Sequence, residues 1–285
     1  AEDGPELAPA TTDRFAAWST AIGSWGRGEA DGIATLKRST GGVVAGVDGP
    51  AFEAWRVGAI AGYSHTNFDV KDRASSGDSE NYTLGFYGGT QWNQFSLRAA
   101  AIYTWHNIET DRTVAFPGFA DSLQAKYDAG TFHVFGEASY RVDTVPAALE
   151  PFANLSHVSL HTDAYSESGG AGALHADGET TDTTFTTLGL RASTGFDFSG
   201  MRATARGTIG WRHAYCDTIP LSTFVFSGSD AFAIEGVPIA RDAAVVEAAI
   251  DLNLTDDAVF GVTYSGQLAS GGQDHAFGAR VGVKF

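Results

Sequence analysis

The stretch from Phe277 to Phe285 constrains the fold more than any other. Phe277, Ala279, Val281, Val283 and Phe285 fall on one side of an extended chain, and Gly278, Arg280, Gly282 and Lys284 fall on the other. Strand side chains alternate in direction, so this segment has one apolar face and one face of charges and glycines. The period recurs upstream. Trp55, Val57, Ala59, Ala61 and Tyr63 oppose Arg56, Gly58, Ile60, Gly62 and Ser64. Phe95, Leu97, Ala99, Ala101, Tyr103 and Trp105 oppose Ser96, Arg98, Ala100, Ile102, Thr104 and His106. Phe132, Val134, Gly136, Ala138 and Tyr140 oppose His133, Phe135, Glu137, Ser139 and Arg141. Leu188 and Leu190 oppose Gly189 and Arg191, Ile209 and Trp211 oppose Arg206 and Arg212, and Val246 and Ile250 oppose Glu247 and Asp251.

Burying this many arginines in a sandwich core would be costly. A transmembrane barrel removes the cost, because lipid covers the apolar face and the polar face encloses a lumen. Aromatic residues at the ends of the apolar faces, such as Trp55 with Tyr63 and Phe95 with Trp105, fit girdles at two membrane interfaces. Composition agrees. Gly makes up 35 of 285 residues and aromatics 12%, which suits β structure. One Cys excludes an internal disulfide framework and a Cys-rich metal site. A formal charge of −16 argues against nucleic acid as a partner. No apolar run is long enough for a transmembrane helix. The mean hydropathy of −0.09 is compatible with alternating barrel strands.

Turn signals count the strands. Tight turns are expected near Asp48-Gly49-Pro50, Asn93-Gln94, Asp143-Thr144, Phe198-Ser199-Gly200 and Asp256-Asp257. The other connections lie near 28–33, 69–80, 107–124, 162–181, 217–239 and 270–273. The two sets alternate and four of the second are long, as in barrels with short turns at one end and longer loops at the other. Eleven connections give a single all-β, 12-stranded antiparallel barrel. Its strands are expected near 15–27, 35–48, 53–68, 81–92, 95–108, 124–142, 145–160, 181–196, 201–216, 240–253, 258–269 and 274–285. Residues 1–14 contain Pro5 and Pro9 without an apolar stripe and read as a linker, leaving 15–285 for the barrel.

The ordered set of short motifs resembles one family. It runs from Trp18–Gly28 and Thr40–Asp48 through Val57–Ser64, Tyr87–Thr90 and Leu149–Phe152 to Leu188–Arg191, Gly210–His213, Tyr264–Gln267 and Phe285. Together they resemble the C-terminal translocator domain of monomeric autotransporters, over roughly residues 15–285. The resemblance implies a Gram-negative outer-membrane barrel that exports and anchors its own N-terminal passenger by type V secretion. It implies a monomer without catalysis of its own. It also implies a segment threading the lumen, either a short linker or a helix beginning around Thr12 to Trp18, and partners in the barrel-assembly machinery and in outer-membrane lipid or lipopolysaccharide. Phe277, Val281, Val283 and Phe285 would then carry the assembly signal. No Asn-Asn pair supports self-cleavage in the linker.

Lumen-lining charges are expected at Arg56, Arg98, Glu137, Arg141, Glu150, Arg191, Arg206, Arg212, Glu247, Asp251 and Arg280, either as a wetted path for a sliding chain or as a structural ion network. Inward glycines at Gly58, Gly62, Gly85, Gly189, Gly278 and Gly282 leave space or allow curvature. Acidic loop residues Asp69, Asp72, Asp78, Glu80, Asp163, Glu167, Asp177, Glu179 and Asp182 suit a solvated surface. Catalytic and cofactor signals are poor. Gly77-Asp78-Ser79 matches the start of an esterase motif but sits in a polar stretch read as a loop. His157 and His161 on one strand lie ~13 Å apart, too far for one metal. Cys216 reads as a free thiol. No metal or cofactor is expected. The alternatives are an outer-membrane enzyme barrel of the phospholipase or protease type, and a small porin.

Overall fold

The computed structural model describes residues 14–285, apart from 31–32, 53, 72–73 and 217. Twelve long strands follow one another: β1 (Ala16–Ala30), β2 (Ile33–Ala51), β3 (Trp55–Val70), β4 (Ser75–Trp92), β5 (Phe95–Phe116), β6 (Phe119–Tyr140), β7 (Ala148–Thr162), β8 (Glu179–Phe198), β9 (Met201–Cys216), β10 (Asp242–Asn253), β11 (Ala258–Ala269) and β12 (Gly272–Lys284). Each pairs antiparallel with the next. The sheet closes because β1 also pairs with β12, from Ala16 opposite Lys284 to Gly28 opposite Gly272. At the seam Phe15 and Phe285 exchange backbone hydrogen bonds at 3.1 and 2.9 Å, and their rings stack at 6.5 Å. The pair Val142–Asp143 adds a short strand beside β7 at the turn end.

The alternation decides which side faces where. Val57, Val134, Leu188, Ile209, Ile250 and Val281 are all exposed on the outer surface, Ile209 by 64%. On the opposite parity Arg56 is only 7% exposed and Asp251 1%. A water-soluble protein does not leave an apolar belt of this extent uncovered. Lipid covers it, and backbone groups at that depth are satisfied because the sheet has no edge.

Three inward glycines, Gly46, Gly58 and Gly189, sit against aromatic rings from the neighbouring strand. A Cβ built on Gly46 would lie 2.7 Å from the Trp18 ring, and one on Gly58 would lie 2.5 Å from Tyr87 Cζ. Gly189 meets Phe152 in the same way, at 2.5 Å. These positions are small because a ring lies flat over them.

The structure corrects several expected boundaries. Residues 69–80 and 107–124 are mostly strand. β3 and β4 run to Val70 and from Ser75, and β5 and β6 meet at a turn over Pro117-Gly118, where Gly118 has φ +90°. The polar composition suggested loops, but Thr110, Arg112 and Val114 alternate with Glu109, Asp111 and Thr113, which is strand spacing in a hairpin standing beyond the lipid. Gly77-Asp78-Ser79 therefore lies within β4 rather than in a loop. Asp48-Gly49-Pro50 ends β2, and the turn follows at Phe52 with φ +46°. A helix beginning at Ala16 to Trp18 is excluded, since β1 begins at Ala16. The remainder of the expected linker, and Asp72, lie outside the described residues.

Two loops stay long, 163–178 and 218–241. They share a small sheet in the order Phe232–Glu235, Leu221–Phe226, Leu174–Ala176, Tyr165–Ser166.

Replacing Val134 with Arg places a charge on the lipid side of mid-β6 and should destabilise the barrel by about 2–4 kcal/mol. The readout is the urea midpoint of the detergent- or liposome-folded chain, with an unchanged midpoint counting against a lipid-facing Val134.

Candidate functional site in the barrel lumen

The charged inner wall separates into three clusters, all towards the short-turn ends of their strands. The first joins β1 to β4. Arg56 pairs with Asp48 and donates from Nη2 to the Asp48 carbonyl at 3.1 Å. Tyr87 donates its hydroxyl to Asp48 Oδ2 at 2.6 Å and receives Trp18 Nε1 at 2.8 Å. The second joins β5 to β8. Arg191 donates to Glu150 at 3.0 Å and to Glu137 at 2.8 Å, with its guanidinium 4.1 Å above the Phe152 ring. Arg98 approaches Glu137 at 4.0 Å. The third is Asp251, whose carboxylate receives Arg206 at 2.6 Å and Arg280 at 3.1 Å. Glu247 lies on the same side of β10, four residues above Asp251.

Each cluster joins carboxylates to guanidinia, so the wall holds charge without a large net field. Planar guanidinium forks let Arg191 satisfy two carboxylates from neighbouring strands at once, which an ammonium would do poorly. Trp18, Tyr87 and Phe152 fill space between the ion pairs.

Towards the long-loop end the wall is more neutral. Asn81 accepts from Ser79 at 2.7 Å, meets His106 Nδ1 at 2.6 Å and donates to Thr66 at 3.2 Å. His106 Nε2 reaches Thr131 at 2.8 Å. Arg212 donates to Gln267 at 2.6 Å, while its buried Nε has no partner among the described residues. Arg38 pairs with Asp274 at 2.6 Å.

Ten of the eleven charges expected in the lumen fall on inward positions of barrel strands. Arg141 does not. It follows the end of β6, pairs with Asp143 at 2.8 Å and sits at the rim. The expected strand runs two residues too far, to 142, because regular pairing ends at Tyr140 and the chain goes on as the short Val142–Asp143 strand beside β7. Asp48, Trp18 and Tyr87 were missed as site residues. Gly49-Pro50 gives Asp48 the local look of a turn residue, and alternation is weakest in β1, where Gly23, Gly26 and Gly28 interrupt it.

Among the described residues no group of three His, Cys, Asp or Glu is arranged to hold a metal ion. Ser79 and His106 both bond to Asn81, so each is committed to the wall. At the turn end Arg14 pairs with Asp257. That hydrogen bond holds the exposed Asp257 carboxyl below its usual range. The contact is therefore present above the ordinary carboxylate pKa and is lost as the pH falls through the lowered one.

Comparison with known proteins follows this geometry. The family model "Autotransporter beta-domain" matches residues 17–265. Two curated relatives, each named extracellular serine protease and both from Serratia marcescens, are 36% and 34% identical over 275 residues. The match takes in 96% of this chain but only 26% of each relative, so the chain spans about a quarter of their length. The translocator domain of the autotransporter NalP from Neisseria meningitidis aligns over 96% of this chain and 89% of its own, with TM-score 0.80 and 14% identity. The β domain of the Bordetella autotransporter BrkA aligns over 96% and 100%, with TM-score 0.71 and 14% identity. At those identities the two structures speak for the fold.

Replacing Asp251 with Asn leaves Arg206 and Arg280 without their shared carboxylate. The expected loss is about 3 kcal/mol, the low end for breaking a buried pair, because Arg206 keeps 40% of its side chain exposed. Equilibrium unfolding in detergent measures it, and a loss below ~1 kcal/mol would show that lumen water replaces the carboxylate.

Proposed function

Because this chain belongs to the autotransporter β-domain family, we propose that its barrel carries an N-terminal passenger across the Gram-negative outer membrane and then anchors it at the surface. The family assignment places the barrel in that membrane. The observation that carries the export reading is the closed, apolar-coated barrel whose charged inner wall is already paired cluster by cluster. A chain sliding past meets carboxylates and guanidinia that have partners, and it has little reason to stick. Residues 1–14 serve as the linker into β1 in this reading, and 15–285 as the translocator.

The barrel itself works without catalysis. Ser79, which carries the hydroxyl of the esterase-like Gly77-Asp78-Ser79 stretch, hydrogen-bonds to Asn81 on the same strand. The Serratia relatives are extracellular serine proteases by name, and a protease passenger upstream of this barrel fits that likeness. Paired lumen charges act as wall and path together.

Phe277, Val281, Val283 and Phe285 all point outward and are exposed. They form the side of β12 that an assembly machine can read before lipid covers it. Lipopolysaccharide packs around the outer girdle, where Trp25, Tyr63, Tyr82, Trp105 and Trp211 are exposed.

A reporter fused ahead of Ala1 and expressed in a Gram-negative host should become sensitive to protease added outside intact cells. A reporter that stays protected while the barrel is folded in the outer membrane would overturn the export reading. Phe285→Ala should lower the amount of heat-modifiable barrel in outer-membrane fractions several-fold, with Phe285→Tyr restoring most of it. Equal recovery of both would remove Phe285 from the assembly signal.

A further inference from the structure

The two long loops lie inside the rim, not outside it. Loop 163–178 packs against the inner side of the β5–β6 hairpin. Tyr165 stacks on Tyr127 with ring centroids 4.1 Å apart, Glu167 accepts from Arg112 Nε at 2.9 Å, and the Gly172 amide donates to Asp121 at 2.7 Å. Tyr127 and Arg112 have the parity of lumen-facing Glu137 and His106, which fixes the side. Leu123, on that same side of β6, is covered to 1% exposure.

Loop 218–241 continues from there. Leu221–Phe226 pairs with Leu174–Ala176, so the second loop is stitched to the first. Its far end reaches β1, where a Cβ built on Gly28 would lie 2.7 Å from Val237 Cγ1 and 3.8 Å from Val237 Cβ. Gly28 has the parity of Gly26, whose own Cβ would run into lumen-facing Asp274. Val237 therefore rests on the inner wall of β1. In a ring of twelve, β1 and β6 are five strands apart one way and seven the other. A segment anchored on the inner walls of both must cross the opening.

We infer that residues 163–178 and 218–241 form a gate across the outer mouth, latched where Val237 meets Gly28, which yields to an emerging chain and otherwise closes the lumen to solutes. The part concerning an emerging chain rests on the export function proposed above. The closure does not. The fixed end is the hairpin side, with an ion pair, a ring stack and a buried leucine. The latch sets a valine side chain on a glycine, an apolar contact without the charge pairing and ring stacking of the fixed end, so the latch is the end that gives way. Leu221, Phe226 and Ile234 of the moving hairpin are exposed.

The Cβ separation at the latch falls within the 3.5–4.5 Å range that a disulfide spans. In the full chain carrying Cys216→Ser, the pair Gly28→Cys and Val237→Cys can be closed with diamide and opened with dithiothreitol. Reconstituted in planar bilayers, the closed form should show a low, steady conductance, and reduction should restore larger fluctuating openings. Gly28→Leu, which props Val237 away, should open more often than the parent chain. Conductance that is the same in the oxidised, reduced and Gly28→Leu proteins would overturn the gate. Reporter export by the Cys216→Ser parent is scored separately, so a failure of the export reading and a failure of the gate give different results.

Discussion

In hydrocarbon a backbone amide has no water to turn to, and every other feature of this molecule follows from that. A sheet meets the demand only by having no edge, which requires the first strand to find the last. β1 and β12 do so over thirteen registered pairs. Once the ring is closed, an alternating sequence has no freedom left. One parity must be what lipid tolerates, and the other must fill or line the enclosed space. Val134 and Arg56 are where they are for the same reason.

The inner parity then has a packing problem of its own. Facing side chains from twelve strands converge on a limited volume, and the chain meets this by pairing large with absent. Trp18 lies over Gly46, Tyr87 over Gly58 and Phe152 over Gly189. The rings bring the charged groups into register as well. Tyr87 supports the Asp48 carboxylate that holds Arg56, and Phe152 is the surface on which Arg191 rests between Glu137 and Glu150. Ion pairs that would be a weak source of stability in a dry core are kept here because the alternative, an apolar lumen, would collapse on itself or hold any greasy segment that entered.

Much of this could be read in the sequence, and the physics explains which parts. Strand identity was legible wherever lipid imposes apolarity on one parity, as at Phe277 to Phe285. Above the lipid that signal changes sides: the outward parity of β5 and β6 turns polar at Glu109, Asp111, Gln124 and Lys126 while Ile108, Leu123 and Tyr127 fall on the inner one, so the outward apolar stripe that marks a strand is gone. The lumen charges were legible one by one, because each opposes an apolar neighbour. Their partnerships were not. Nothing in the local pattern says that Asp251 serves Arg206 and Arg280 together, since those residues are 45 and 29 positions away along the chain. The loop sheet was invisible for the same reason, its pairing of Leu174–Ala176 with Leu221–Phe226 being a matter of tertiary distance.

The β5–β6 hairpin and the β1–β12 seam sit at opposite ends of a scale that bears on the order of folding. The hairpin joins strands separated by two residues, and its upper part is clothed in polar groups that need no bilayer. The seam brings together residues separated by almost the whole sequence, from Ala16 to Lys284. Loop-closure entropy delays contacts of the second kind. The hairpin is therefore the natural nucleus, and the seam the final event, so for most of its folding time the molecule is a curved sheet with two open margins that something else must shield.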